Sequence, residues 1–299
     1  MSVERRFGRG TVIGIPYVWM LVFFLVPFLI VAKISLSNSV IAAPPYEPVI
    51  TTLAEFFDKV GEFTAANYGR LFTESIYVES YLSSLWIAGS STVIMLFVAY
   101  PLAYAMARAP KAWRPTLLML VILPFWTSFL IRVYAWIGIL AEEGLLNSLL
   151  VTLGIVDEPI TFLATTRAVY IGIVYSYLPF MVLPLYSSLE KMDDTLIEAA
   201  QDLGCTPFQA FWRVTFPLSI PGVIAGSFLV FIPAVGEFVI PDLLGGSDTV
   251  MIGKTLWEEF FNNRDWPTAS AVAITLLLLL VVPIVIFQNA QAKAQEADR

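Results

Sequence analysis

The sequence predicts an all-α integral membrane protein with about six transmembrane helices, since one crossing takes about 20 apolar residues. Three observations carry the prediction. Of 299 residues, 58% are hydrophobic and only 14% are charged, with a mean hydropathy of +0.77. Soluble domains carry about a quarter charged residues. The apolar residues are gathered into six runs, at 12–36, 81–107, 116–140, 168–189, 220–241 and 268–288. Each is long enough to cross a hydrocarbon core with some tilt. Between them no stretch is large enough for a soluble domain, so 1–299 reads as one transmembrane domain.

The first run follows Arg5, Arg6 and Arg9, as a signal peptide would. It is too long for a signal core, and "VAKISLSNS" offers no small-x-small cleavage site, so it reads as a retained anchor. The segment 37–80 is the largest non-membrane piece, with a short amphipathic helix expected around "LAEFFDKV". Loop charges orient the remaining runs. With the N-terminus in the cytoplasm, the inner segments hold Arg5, Arg6, Arg9, Arg108, Lys111, Arg114, Lys191, Arg213, Lys293 and Arg299. The outer loops hold only Lys59, Arg70, Arg167, Lys254 and Arg264. Both termini are therefore expected inside.

Composition also excludes functions. A net charge of -7 argues against a nucleic-acid partner, which demands a basic surface. A single cysteine, Cys205, rules out an internal disulfide and an all-cysteine metal cage. Without histidine the usual zinc, haem and proton-shuttle side chain is missing, so no metal site is expected.

Between the fourth and fifth runs, at 190–219, lies a cytoplasmic loop with its own punctuation. Thr195 and Glu198 have the spacing of a capping box, and Gly204 can adopt the left-handed conformation that stops a helix. Thr206, Pro207 and Gln209 repeat the start signal, with Phe208, Phe211 and Trp212 on one face, and Pro217 and Pro221 are expected to end the second helix. Helices this short need an external support. A lipid surface is one candidate. However, Glu190, Asp193, Asp194, Glu198 and Asp202 outnumber Lys191 and Arg213, and an anionic leaflet repels acids. The charge balance suits docking to a protein.

Glu198-Ala199-Ala200, then Gly204, Val214 and Pro217, resemble the EAA loop of inner-membrane permeases of binding-protein-dependent ABC importers. The loop departs from that pattern in Val214 for Ile, Phe216 for Leu and Cys205 for the commonest Ala. The resemblance implies the type I ABC importer permease fold, with this loop as the coupling helix seated in a groove of a cytoplasmic ATPase. It makes Ala199 and Ala200 a close-packing face, Glu198 a polar contact and Gly204 the turn. ATP and magnesium would then be bound by that partner, and no cofactor by this chain. No G-x-x-x-x-G-K-[ST] phosphate loop is present, in keeping with that division.

The stretches "ILPFWTSFLIRVYAWIGIL", "AVYIGIVYSYLPFMVLPLY", "FIPAVGEFVIPDLLGG" and "LWEEFFNNRDWP" resemble the putrescine/spermidine permeases of polyamine importers, most of all their first permease subunit. That resemblance implies a bacterial inner membrane and a heterodimer with a sister permease. It also implies two copies of the ATPase and a periplasmic polyamine-binding protein. Two other readings stand beside it: an importer for sulfate, ferric ion or a phosphonate, and an ion-coupled secondary transporter.

Two charges fall inside the runs, Arg132 and Glu237, and intramembrane charges are functional suspects. Glu237 lies beside Pro233 and Gly236, which would break the helix and free carbonyls, a recurring device of transporters. With Trp126, Tyr134, Tyr175 and Tyr177 it could form a path for a diammonium ion through charge and cation–π contacts. Counted from the cytoplasmic ends at about 1.5 Å per residue, Arg132 and Glu237 reach similar depths. They could instead form a structural ion pair, or Glu237 could reach water at the interface. Asp242, Asp248, Glu258, Glu259 and Asp265 on the outer side are solvated charges or face the binding protein.

Overall fold

The computed structural model describes residues 3–50 and 53–297. Arg299, counted above among the inner charges, lies outside them, as do the side chains of Arg5, Arg6, Arg9 and Lys293. In chain order, α1 (Val3–Met20), a π-helical segment (Leu21–Leu25) and α2 (Val26–Ser35) form the first long apolar helix. Next come β1 (Asn38–Ser39), antiparallel to β2 (Tyr46–Glu47), and the short α3 (Leu53–Lys59) and α4 (Ala66–Thr73). The long α5 (Ser75–Arg108) leads to α6 (Arg114–Ile122), a 3-10 turn (Leu123–Trp126), α7 (Phe129–Leu140) and α8 (Leu145–Thr152). After α9 (Thr166–Glu190) come α10 (Thr195–Asp202), α11 (Pro207–Ala210), a second π segment (Phe211–Thr215) and α12 (Phe216–Val235). The last elements are α13 (Val239–Leu244), α14 (Ile252–Trp257), a third π segment (Glu258–Asn262) and α15 (Trp266–Ala297).

Among the described residues four helices are long and apolar enough to cross a membrane: Gly10–Ser35, Ser75–Arg108, Thr166–Glu190 and Pro207–Val235. The run expected as a straight span over 116–140 is instead broken. Arg114–Trp126 and Phe129–Thr152 meet at 88° and make a fifth crossing only if taken together. Pro124 has no N–H for the helix ladder, and its ring opposes the carbonyl one turn earlier. The helix tightens to 3-10 form over Leu123–Trp126, and Thr127 and Ser128 turn extended, with ψ of 153° and 137°. The fifth run also differs from expectation, ending at Val235 rather than 241. The sixth lies within α15, whose apolar part is Trp266–Val282.

The chain divides into two compact units, Met1–Val78 with Thr255–Arg299, and Glu79–Lys254. In the first, α2 packs along α15. Asn67 Nδ2 donates to the carbonyls of Ser35 (2.9 Å) and Ser37 (2.8 Å), closing the end of α2. Arg70 binds Glu74, Asp265 and Thr268 at 3.0 Å each, and Asp265 in turn caps α15 through the Thr268 N–H at 3.1 Å. The Glu74 carboxylate raises the Arg70 pKa further above its already high value.

In the second unit the main contact is α9 against α12, with Met181, Leu185, Val230 and Ala234 fully buried. Lipid tails give helices no hydrophobic reason to associate, so close backbone approach by small residues takes over. A Cβ on Gly222 would stand 2.8 Å from the Pro184 carbonyl, and one on Gly226 would stand 2.8 Å from Met181 Sδ.

Candidate functional site

The loop between α9 and α12 has a geometry that follows from local capping chemistry. Asp193 Oδ1 accepts the Thr195 N–H at 3.0 Å, and this bond holds the Asp193 carboxyl below the usual carboxylate range. The capping box expected at Thr195 and Glu198 does not form. Thr195 is the first helical residue, and Asp194, at the capping position, makes no side-chain bond to its helix. The α10 helix ends as expected at Gly204, with φ +87°. The Cys205 N–H reaches the Ala200 carbonyl at 3.0 Å and the Gly204 N–H reaches that of Gln201 at 2.8 Å, the two bonds of a Schellman stop. The second box is present: the Gln209 N–H donates to Thr206 Oγ1 at 3.3 Å and the Thr206 N–H to Gln209 Oε1 at 3.0 Å.

The helix begun there does not end at Pro217 and Pro221. It runs on as one rod, Pro207–Val235. The π segment Phe211–Thr215 loosens the ladder where the Pro217 ring would otherwise meet the Arg213 carbonyl. Glu198, Ala199, Gly204 and Pro217 are exposed, with Leu203 (86% exposed) and Phe208 (72%) beside them. Ala200 is buried, so Ala199 and Ala200 do not share the expected docking face. Phe211 turns inward, edge-on to Tyr100 at 5.5 Å and to Tyr104 at 6.3 Å.

At the end of α12 the chain breaks at Gly236, as its sequence suggests. Glu237 is 7% exposed. Its Oε1 accepts the N–H groups of Val239 (3.0 Å) and Ile240 (3.3 Å), and Tyr177 OH donates to its Oε2. The carboxylate therefore satisfies the free donors at the start of α13. Arg132 lies elsewhere, with its guanidinium 5.3 Å from the Phe125 ring centre and 5.9 Å from that of Phe129, and its Nε is buried without a hydrogen-bond partner. Among the described residues Arg132 and Glu237 form no ion pair. The depth count that matched them assumed a straight third span, and the 88° bend re-aims α7.

An aromatic bridge connects the two charged residues instead. Phe125 packs at a tilt against Phe180 with ring centres 5.1 Å apart, and Phe180 lies 6.2 Å from Tyr177. Of the four aromatics singled out in the sequence, only Tyr177 reaches Glu237. Tyr175 meets Trp136 edge-on at 5.3 Å, while Trp126 and Tyr134 are exposed near the break. Phe125, Phe129 and Phe180 were not distinguishable from other apolar span residues. The one cue was Phe129, a turn before Arg132. Of the acids expected on the outer side, Asp265 is taken by Arg70, Glu259 by Tyr77 and Asn263, and Asp242 by Lys254 at 3.6 Å.

Several apolar helices, a broken span and an exposed, glycine-stopped interhelical loop fit one class of membrane protein, the transport permeases. Residues 10–294 match the family described as binding-protein-dependent transport system inner membrane component, and the chain belongs to that family. It is 40% identical over 292 residues to the spermidine/putrescine transport system permease protein PotB of Haemophilus influenzae, covering 96% of this chain and 95% of that one. It is 45% identical over 228 residues to PotB of Escherichia coli, covering 76% and 82%. In fold it is similar to a bacterial ABC transporter that imports the acidic polysaccharide alginate, with a TM-score of 0.71 over 98% of this chain and 97% of that one, at 18% identity.

Proposed function

We propose that this chain is the permease subunit of a polyamine ABC importer, carrying putrescine or spermidine from a periplasmic binding protein across the inner membrane. Identity of 40% to a spermidine/putrescine permease across almost the whole of both chains is the observation that carries the substrate class. The chain pairs with a sister permease and docks two copies of a cytoplasmic ATPase, which bind the ATP and magnesium. In this reading α10 is the coupling helix. Glu198, Ala199 and the Gly204 turn face the motor, with Leu203 and Phe208 as apolar anchors. Ala200 fastens the helix to its own subunit, and Pro217 marks where the loop becomes span.

The chain hydrolyses nothing itself. Gly253-Lys254-Thr255 has the ending of a phosphate loop, but Asp248 stands where its first glycine belongs. A Cβ on Gly253 would lie 2.4 Å from the Gly236 carbonyl, so that stretch is packed protein rather than an open cradle. For the cation path, Trp126 and Tyr134 offer exposed ring faces at the broken span. Glu237 lends negative potential from behind Tyr177.

The test is ATP hydrolysis by the reconstituted importer with binding protein loaded with putrescine, spermidine or sulfate. Stimulation by a polyamine-loaded form is expected; stimulation by sulfate alone would overturn the substrate class. Both termini are assigned to the cytoplasm. A reporter fused after Glu62 should accordingly read periplasmic and one after Asp202 cytoplasmic, and the reverse at either site defeats the orientation.

A further inference from the structure

One face of α5 grips the coupling loop at both of its ends. Tyr100, Tyr104 and Arg108 are spaced four residues apart, which places them in a row along the helix. Tyr100 OH lies 2.8 Å from Ser219 Oγ at the start of α12, and both tyrosine rings bracket Phe211 in the loop's second half. Arg108 holds the first half. Its Nη1 pairs with Asp194, and its guanidinium lies 5.5 Å from the Tyr104 ring centre. Asp194 occupies the capping position of α10 yet gives its helix no side-chain bond, so its carboxylate is free for Arg108.

A second bridge runs alongside. Arg114, the first residue of α6, donates through Nε to the Ala109 carbonyl at 3.0 Å and through Nη1 to Glu190, the last residue of α9, at 3.5 Å. Two arginines that bracket the short link 109–113 thus hold the two acids that bracket 191–193. The covalent path from α9 to α10 crosses those irregular residues, which can bend and absorb a displacement of α10. The ion pairs bypass that soft joint. Arg108 is three-quarters covered while Asp194 is open to solvent, so the bridge is shielded from solvent and salt on the Arg108 side alone.

We propose that the Arg108–Asp194 bridge, seconded by Arg114–Glu190, is the linkage that passes displacement of α10 to α5 and α6, making Arg108 a positioning residue for transport. The inference rests on α10 being the helix that meets the motor. It is tested in the intact importer, with the sister permease, ATPase and binding protein present, by measuring solute moved per ATP hydrolysed together with co-purification of the ATPase. Asp194→Asn is the cleaner variant, because Asp194 is 68% exposed and its loss carries little folding burden.

Asp194→Asn and Arg108→Gln should keep the ATPase bound while lowering solute per ATP by about threefold to tenfold, toward the low end of what groups in contact can couple, as suits a pair open to solvent on one side. The exchanged pair Arg108→Asp with Asp194→Arg should recover most of it. A merely structural contact would lower the amount of complex, not the ratio. An unchanged ratio in both single variants overturns the linkage, and so does loss of the ATPase from them, which would make the bridge a shaper of the docking face. If the unmodified chain binds no ATPase, the reading of α10 fails first, and the linkage fails with it.

Discussion

Glu237→Gln should yield a permease with a markedly lower thermal midpoint and reduced membrane abundance. The carboxylate accepts three hydrogen bonds, two from the start of α13 and one from Tyr177. A glutamine amide has one oxygen. If it serves Val239 and Ile240, its NH2 faces the Tyr177 hydroxyl, whose oxygen can accept from it but whose proton loses its acceptor; if it serves Tyr177, two backbone donors are stranded at low dielectric. An unsatisfied buried donor costs about 1 to 3 kcal/mol, a large fraction of the stability of most domains. Tyr177→Phe should show part of the loss, since it removes one donor and strands one lone pair. Arg132→Met should leave the α12–α13 junction untouched, because Arg132 is not its partner. The check is a melting curve of purified protein alongside polyamine uptake. Normal stability with uptake alone abolished would assign the carboxylate to the cation instead; normal stability and normal uptake together would remove it from both roles.

Gly204→Asp is expected to abolish uptake while the permease remains in the membrane at normal amounts. A Cβ at Gly204 meets nothing within 4 Å, so the change creates no clash inside the subunit. The φ of +87° is the difficulty, because a side chain in the left-handed region costs roughly 1 to 2 kcal/mol, and aspartate is among the residues that tolerate it best. The strain is confined to the tip of the loop. The added bulk and charge fall on the exposed face beside Leu203, where the motor would sit. Gly204→Ala should be milder, having strain and little bulk. Uptake and ATPase co-purification, measured on the same membranes, settle it: full uptake with the ATPase assembled would show that the tip is not a docking surface.

Composition and apolar run length were enough to read the class of fold and to place the helices Gly10–Ser35, Ser75–Arg108 and Thr166–Glu190, because bilayer thickness imposes both. The helix Pro207–Val235, by contrast, starts earlier and ends sooner than its apolar run. Turn chemistry at Gly204, Thr206 and Gln209 was equally legible, since each signal acts within a few residues. Thr195 was misread for the same local reason. Asp193, two residues earlier, competes for the free N–H and shifts the helix start. What the sequence hid was direction. A hydropathy window over 116–140 records Pro124 as one residue among many and cannot register that Thr127 and Ser128 turn extended. Once α7 points elsewhere, depth counted along the chain no longer reports which side chains meet, and the Arg132–Glu237 pairing failed on that step alone. The aromatic bridge through Phe125, Phe180 and Tyr177 was invisible because phenylalanines in a span look alike until their helices are placed.

The broken third span also bears on how the chain is made. Before the bend it offers nine α-helical residues and four of 3-10 helix, a rod of roughly 20 Å. A bilayer core is about 30 Å thick, so this piece cannot span it alone. In the finished protein α6 leans on α9, which is synthesised later. A nascent chain halted before Thr166 therefore carries this half-length segment without the helix it packs on. The packing of α6 is therefore completed only when α9 has joined it, so the third span takes its final form out of chain order.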